Sequence, residues 1–412
     1  MSDLVELTDG DGVIEISAPS ADRYASLKLI DWWDHAKLRR AKVMVVGAGA
    51  LGNEVLKNLA LLGVGYLFLV DFDTVEASNL SRSVLYRAED AGKRKVEVAA
   101  ARLREINPDV RVATFHGDVT QALGQGIYRR VDVVIGCLDN RAARLAVNRA
   151  CWRYGVPWID GALDVLMGIA RVFVPGQGAC YECTMTEADY DLVNVRYRCP
   201  LLRPDELQEG RQPTTPTSAS LVAAWQVQEA VKLLHGLPVP AGKGIYINGH
   251  TYSTSLLAYT ERADCFSHAQ ARAVVTELPL RAADLTVGAF CDAIAPILAA
   301  EGAENAALLP EQEIISHFYC LACDARTPAY RPYDEVMPDG AACPTCNMPR
   351  LPSILSRLPL SADSPATNVP LVQLGVPPLA VLQVAARVQG VECIFWFELS
   401  ADAQSCLAAW SE

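Results

Sequence analysis

Three glycines and one acid set the first chemical question. Gly47, Gly49 and Gly52 stand in G-x-G-x-x-G spacing. They follow the Val-rich run Lys42–Val46 and precede an apolar periodicity at Val55, Leu56, Leu59 and Leu62. The run reads as a fully buried parallel strand. The periodicity reads as a helix reaching about Leu62. Strand, glycine turn and helix together form the setting in which this spacing binds a nucleotide phosphate. Gly47 permits the tight turn, Gly49 lets the backbone approach the phosphate, and Gly52 lets helix and strand pack closely. The helix N-terminus offers N–H groups and a positive dipole end to an anion. Leu67–Val70 reads as the second strand, and Asp71 closes it 19 residues after Gly52, placed for a ribose hydroxyl. On these residues alone a dehydrogenase fits as well as any other nucleotide enzyme.

The cysteines point to metal. Cys180-Tyr-Glu-Cys183 lies on a loop after Pro175-Gly-Gln-Gly178, and Cys265-Phe-Ser-His268 follows a strand ending near Tyr259. Two short chelating pairs can build one tetrahedral site for Zn²⁺ from three cysteines and a histidine, structural because four protein ligands leave no open position. Cys320-Leu-Ala-Cys323 and Cys343-Pro-Thr-Cys346 are separated by 19 residues rich in Gly, Pro and Asp. That spacing reads as a zinc ribbon near 316–350. Aliphatic residues are few there, so the metal is expected to supply much of that lobe's stability. Of 13 cysteines, six sit in three CxxC pairs; the count is odd and no export signal opens the chain. Metal binding in the reducing cytoplasm is therefore expected rather than a disulfide framework.

The surrounding elements must position these groups. A chain of 412 residues, 51% of them hydrophobic, has length for two or three domains and ample material for a core. A net charge of −12 argues against nucleic acid as the main partner. The absence of an apolar run of bilayer length argues against a membrane span. Residues 1–20 read as a loose or edge-strand lead-in, and 21–40, with Tyr24, Leu27, Leu29, Ile30, Trp32 and Trp33, as helical. Further helices are expected at Val96–Ile106, ended by Asn107-Pro108, at Arg141–Tyr154 and at Leu221–Leu234. Strands are expected at Arg111–Phe115, Val131–Ile135 and Pro157–Ile159, with Gly168–Val174 and Gly244–Tyr259 in a more antiparallel second half. The alternation implies a doubly wound sheet with right-handed crossovers. Gly47, Asp71 and Asp139 then fall at carboxyl ends of strands, where open α/β sheets bind ligands.

The residues after Asp71 narrow the choice. Asp71-Phe-Asp-Thr-Val-Glu-Ala-Ser-Asn-Leu-Ser-Arg82 resembles the second motif of the ThiF/MoeB and ubiquitin-activating enzyme superfamily. The resemblance continues through Gly92-Lys-Arg-Lys95-Val-Glu97, Cys137-Leu-Asp139-Asn140, Pro213-Thr-Thr-Pro216 and Gln226-x-x-Glu229-Ala-Val-Lys232, and covers roughly residues 23–268. It implies a Rossmann-like adenylation domain over 41–269, with a lead-in and helix over 1–40 and a crossover loop near 190–219. It also implies ATP with Mg²⁺ and a ubiquitin-like carrier protein as partner. Arg82 and Lys95 would hold the triphosphate, Asn79 would contact the phosphates, Asp71 the ribose, and Asp139 the Mg²⁺. Adenylation of a carboxylate that is already ionised needs no general base; positioning and charge neutralisation suffice. Two departures stand out. The family's Arg–aromatic–x–Arg pattern becomes Arg23-Tyr24-Ala25-Ser26, without its second Arg, and His268 replaces the usual fourth metal-binding Cys.

Cys199, in Tyr197-Arg-Cys-Pro-Leu-Leu-Arg203, opens a polar, Pro-rich stretch flanked by Arg196, Arg198 and Arg203. Positive neighbours lower a thiol's pKa. The ubiquitin-type enzymes keep a thioester cysteine in this part of the chain, which implies Cys199 as acyl acceptor and a conjugating enzyme as a further partner. A third metal ligand or an inert thiol are the alternatives. Residues 270–412 are expected to form an α+β domain containing the ribbon, with a helix at Leu285–Leu298 and a strand at Val391–Leu399. Val381–Val388 fits either strand or helix. The expected activity is ATP-dependent adenylation of a carrier's C-terminal carboxylate, then thioester formation and transfer by a homodimer. The alternative is a sulfur-carrier adenylyltransferase without the thioester step. A dehydrogenase gives Asn79, Arg82 and Lys95 no joint role.

Overall fold

A computed structural model describes residues 22–191, 214–270, 272–336, 342–361 and 363–411. Cys199, most of the expected crossover stretch and the lead-in 1–20 lie outside them. Between Asp22 and Arg40 only Leu27–Leu29 and α1 (His35–Arg40) are helical, less than the sequence suggests. Asp34 interrupts by capping α1, its carboxylate accepting from the backbone N–H groups of Ala36 and Lys37.

The first unit runs β1 (Lys42–Val46), α2 (Ala50–Leu62), β2 (Tyr66–Asp71), α3 (Lys95–Ile106), β3 (Arg111–His116), β4 (Val133–Gly136), α4 (Arg141–Tyr154), β5 (Trp158–Asp164), β6 (Met167–Phe173), α5 (Pro216–His235), β7 (Lys243–Asn248) and β8 (Ser253–Ala258). These strands form one sheet in the order β3-β2-β1-β4-β5-β6-β7-β8, parallel through β5 and antiparallel beyond it. The order reverses between β1 and β4, and open α/β sheets bind ligands beyond such a reversal. Along β1 the side chains alternate: Val43 and Val45 join a core with α2, α3 and α5, while Met44 and Val46 join a core with α4. α5 begins five residues before the expected start. Thr215 caps it, its hydroxyl accepting from the N–H of Ser218, and Pro216 takes the first turn where no N–H is needed.

The second unit adds β9 (Val275–Leu278), α6 (Val287–Ala300), β10 (Ala303–Leu309), β11 (Ile314–Cys320), β12 (Arg326–Pro332), β13 (Arg350–Leu355), β14 (Leu358–Pro359), β15 (Val381–Val388) and β16 (Val391–Leu399). One sheet runs β14-β10-β15-β16-β9, so Val381–Val388 is a strand. It pairs with β10 and β16 on either side and is buried over most of its length. Val287, Phe290, Ile294 and Leu298 of α6 face that sheet. A second sheet, β12-β11-β13, carries the paired cysteines at its end.

The last residues return to the first unit. The indole N–H of Trp410 donates to Leu67 O at 3.1 Å, and its ring meets Tyr66 and Phe68 edge-on. Residues from this tail help cover the β2 and β3 surface that α4 does not reach. Among the described residues no helix is long and apolar enough to cross a membrane.

Candidate functional site

The glycine turn has the shape its spacing implies. Gly47 has φ +99°, a left-handed conformation, and a Cβ there would lie 2.3 Å from Cys137 O. A Cβ on Gly52 would lie 2.0 Å from Gly47 O, so this glycine lets α2 close on the turn. Around Gly49 nothing lies within 4 Å of a built Cβ, which leaves room above the backbone for a ligand. No side chain caps the start of α2, so its N-terminal N–H groups and dipole remain available to an anion.

Asp71 ends β2 beside this turn. Its two carboxylate oxygens accept from the N–H groups of Ala48 and Asp73, each at 2.7 Å. Burial pushes its pKa above the usual carboxylate range despite nearby Lys95. Asp71 therefore fixes the glycine turn, and its remaining lone pairs are free to accept from a ribose hydroxyl. Lys95 opens α3, is almost fully buried, and places Nζ 2.7 Å from the Asp73 carboxylate. Arg82 is half-buried and donates to Ser78 O at 3.1 Å. Asn79 is buried, and its Oδ1 accepts from the N–H of Glu76 at 3.0 Å, closing a capping box. Asp139 is exposed just beyond β4, and Asn140 caps α4 by accepting from the N–H of Ala143 at 2.8 Å.

Several positioning groups carry no sequence signature of a role. Asn53 is fully buried on α2. It donates to Ala48 O and Gly49 O and accepts from the N–H of Leu85, tying the glycine turn to the segment bearing Asn79 and Arg82. The Tyr86 hydroxyl also donates to Ala48 O, at 2.7 Å. Beneath the Asp139 loop, Arg144 pairs with buried Asp160 at 3.0 Å and donates to Leu138 O and to Gly161 O. Arg171 holds the other Asp160 oxygen. From α5, Gln226 donates to Gly136 O at 2.9 Å and Ile159 O at 3.1 Å, tying the carboxyl end of β4 to the first residues of β5. The motif helix thus acts on the site from behind the sheet.

The two cysteine groups close up as their spacing implies. The ligand atoms of Cys180, Cys183, Cys265 and His268 lie within 4.8 Å of one another, as do those of Cys320, Cys323, Cys343 and Cys346. A tetrahedron with metal–sulfur bonds of about 2.3 Å has edges of about 3.8 Å. The observed sulfur separations match: Cys180–Cys183 3.8 Å, Cys180–Cys265 3.5 Å, Cys320–Cys346 3.5 Å and Cys323–Cys343 3.6 Å. Burial raises the pKa of the Cys180 and Cys265 thiols, so a cation is the natural agent to hold them as thiolates. In the other group the backbone N–H groups of Cys346 and Thr345 turn to the Cys343 sulfur and bring its thiol down to about 6. Both donor sets fit a metal ion. Cys199 lies outside the described residues, so no geometry attaches to it.

Comparison with known proteins agrees with this architecture. The ThiF family model matches residues 21–273, and the chain belongs to the ThiF family. It is 30% identical over 234 residues to the sulfur carrier protein ThiS adenylyltransferase of Escherichia coli, spanning 56% of this chain and 86% of that one. It is 37% identical over 178 residues to the SAMP-activating enzyme E1 of Haloferax volcanii, spanning 42% of this chain and 66% of that one. For other activating-enzyme relatives the match spans between 17% and 43% of their length. Among solved structures, E. coli MccB with MccA-N7isoASN superposes with TM-score 0.50 at 23% identity, over 61% of this chain and 76% of that one. This last likeness concerns the fold.

Proposed function

We propose that the protein is an ATP-dependent adenylyltransferase acting on the C-terminal carboxylate of a ubiquitin-like carrier protein. The observation that carries the reading is the convergence of Gly49, Asp71, Lys95 and Asp139 around the β1/β4 reversal of a ThiF-family domain. The carrier's carboxylate attacks the α-phosphorus of ATP and pyrophosphate leaves. The open backbone at Gly49 and the α2 N-terminus receive the phosphates. Lys95 exchanges Asp73 for phosphate oxygens, and Arg82 joins it in neutralising the charge that develops. Asn79 braces this segment and adds a polar contact to the phosphates. Asp71 accepts from the ribose. Asp139 is the residue that would hold Mg²⁺, and the ion would supply charge neutralisation to the triphosphate. The mixed cysteine–histidine group and the four-cysteine group hold structural Zn²⁺.

The reading extends to a transfer step. The Cys199 thiolate attacks the acyl carbon of the adenylate; a C–S bond forms, the C–O bond to phosphate breaks, and AMP leaves with the electron pair. The thioester then passes to a conjugating enzyme, and the active form is a homodimer. A second reading keeps adenylation and omits the thioester. It is supported by the 30% identity to the ThiS adenylyltransferase over 86% of that chain, as the first reading is by the 37% identity to the SAMP-activating enzyme E1 over 66% of that one.

One experiment separates the two. Enzyme, Mg·ATP and a carrier that supports pyrophosphate exchange are incubated and run on a non-reducing gel. A reductant-sensitive band should form with wild type and vanish in Cys199→Ala, while exchange persists. A band that survives the substitution, or never forms beside robust exchange, leaves adenylation alone. Failure of exchange with every candidate carrier overturns adenylation itself.

A further inference from the structure

The group of Cys180, Cys183, Cys265 and His268 is better organised around its histidine than four ligands alone require. His268 Nε2 lies 3.8 Å from Cys183 Sγ, on the metal-facing side. Its other nitrogen, Nδ1, lies 3.0 Å from a carboxylate oxygen of Glu261. Proton on Nδ1 makes that contact a donor to carboxylate and leaves the Nε2 lone pair for the ion. The ring face is covered as well: Trp152 of α4 stacks on it, centroids 5.3 Å apart and planes 11° from parallel. The residue after Glu261 serves the neighbouring ligand, since the Arg262 N–H donates to Cys183 Sγ at 3.4 Å.

We propose that Glu261 is the positioning residue of a carboxylate–histidine–metal relay that secures His268 as the fourth ligand. The proposal rests on the reading of this group as a Zn²⁺ site. An imidazole differs from a thiolate in needing one tautomer and one ring orientation before it can bind. Glu261 selects the tautomer and the in-plane angle, and Trp152 restrains rotation about the ring face. Carboxylates in this position raise the basicity of the ligand histidine, and losing one typically costs about tenfold to a hundredfold in metal affinity. Glu261 is more than half exposed, so the lower end of that range applies.

Metal content and zinc release from the full chain to a chromogenic chelator test this. Wild type should carry two zinc ions per chain, with the four-cysteine group as internal reference. Glu261→Ala should speed release from one of the two sites about tenfold and leave the other unchanged. Glu261→Gln, which keeps an acceptor but not the charge, should fall between. The decisive arm is a cycle with His268→Cys, since a cysteine has no tautomer to set. On that background Glu261→Ala should not change release. Release at the wild-type rate in Glu261→Ala, or equal acceleration with and without His268, overturns the proposal. Wild type with no metal at this group removes the zinc reading and the proposal with it.

Discussion

Lys95 stands paired with a carboxylate. With its side chain only 8% exposed and Nζ 2.7 Å from Asp73, it is a nearly desolvated cation that needs a partner at every stage. Asp73 supplies that partner, and in the proposed reaction the triphosphate would take its place. Lys95→Ala should therefore lower pyrophosphate exchange about a hundredfold or more, the scale of losing one charge-stabilising donor. Asp73→Ala should cost less, because phosphate replaces the lost partner. Asp139→Ala should abolish exchange with no loss of melting temperature, since its side chain is exposed. Exchange in Asp73→Ala as low as in Lys95→Ala would mean that Asp73 acts on the substrate or its metal directly. Asp71, Lys95 and Asp139 were legible because motif spacing names them. Asp73's partnership was not, since it joins residues 22 positions apart. Asn53 was hidden further, its bond to Leu85 spanning 32 positions.

At the scale of elements, the glycine turn separates stability from binding within six residues. Gly52→Ala drives a methyl to 2.0 Å from Gly47 O, a backbone atom that cannot step aside without opening the turn. Overpacking of this kind reaches about 3 kcal/mol or more, so this variant should melt markedly lower and lose nucleotide. Gly49→Ala meets no atom within 4 Å and keeps φ −71° at the helix cap. Its stability cost should stay below about 1 kcal/mol. Its methyl would occupy the space expected for a phosphate, and affinity for Mg·ATP should fall at least tenfold, a change of about 1.4 kcal/mol. Calorimetry and thermal melting on the two variants check both halves. Equal melting losses, or wild-type nucleotide affinity in Gly49→Ala, would refute this division. The parallel strands and α2 to α4 were readable because buried Val runs and helical periodicity carry their own signal. The return of Trp410 to β2 was not, for one aromatic in a short tail has no period.

Across the whole molecule, the two units are joined by buried charge as well as by chain. Glu398 of β16 is fully buried and sits between Arg129 and Arg130 of the first unit, and Arg129 also reaches Glu277 at 3.0 Å. Alongside, the N–H groups of Gly124 and Gly126 donate to Pro378 O and Leu379 O, each at 2.9 Å, and Arg153 stacks over Trp396. Such a contact fixes the β14-β10-β15-β16-β9 sheet against the first unit. Burying a carboxylate is costly in itself, so this pairing adds little net stability over an apolar contact. Removing one member is a different matter, because Arg130 then loses its carboxylate and Arg129 keeps only Glu277. Glu398→Ala should cost about 3–5 kcal/mol of coupling between the units. The single thermal transition expected of the wild type should split in two, and limited proteolysis should cut first near 270–275, between the units. Adenylation chemistry should survive, since none of these residues approaches the glycine turn, Lys95 or Asp139. A single transition at the wild-type temperature in Glu398→Ala would show that apolar packing and the Trp410 tail hold the units together without this ion cluster.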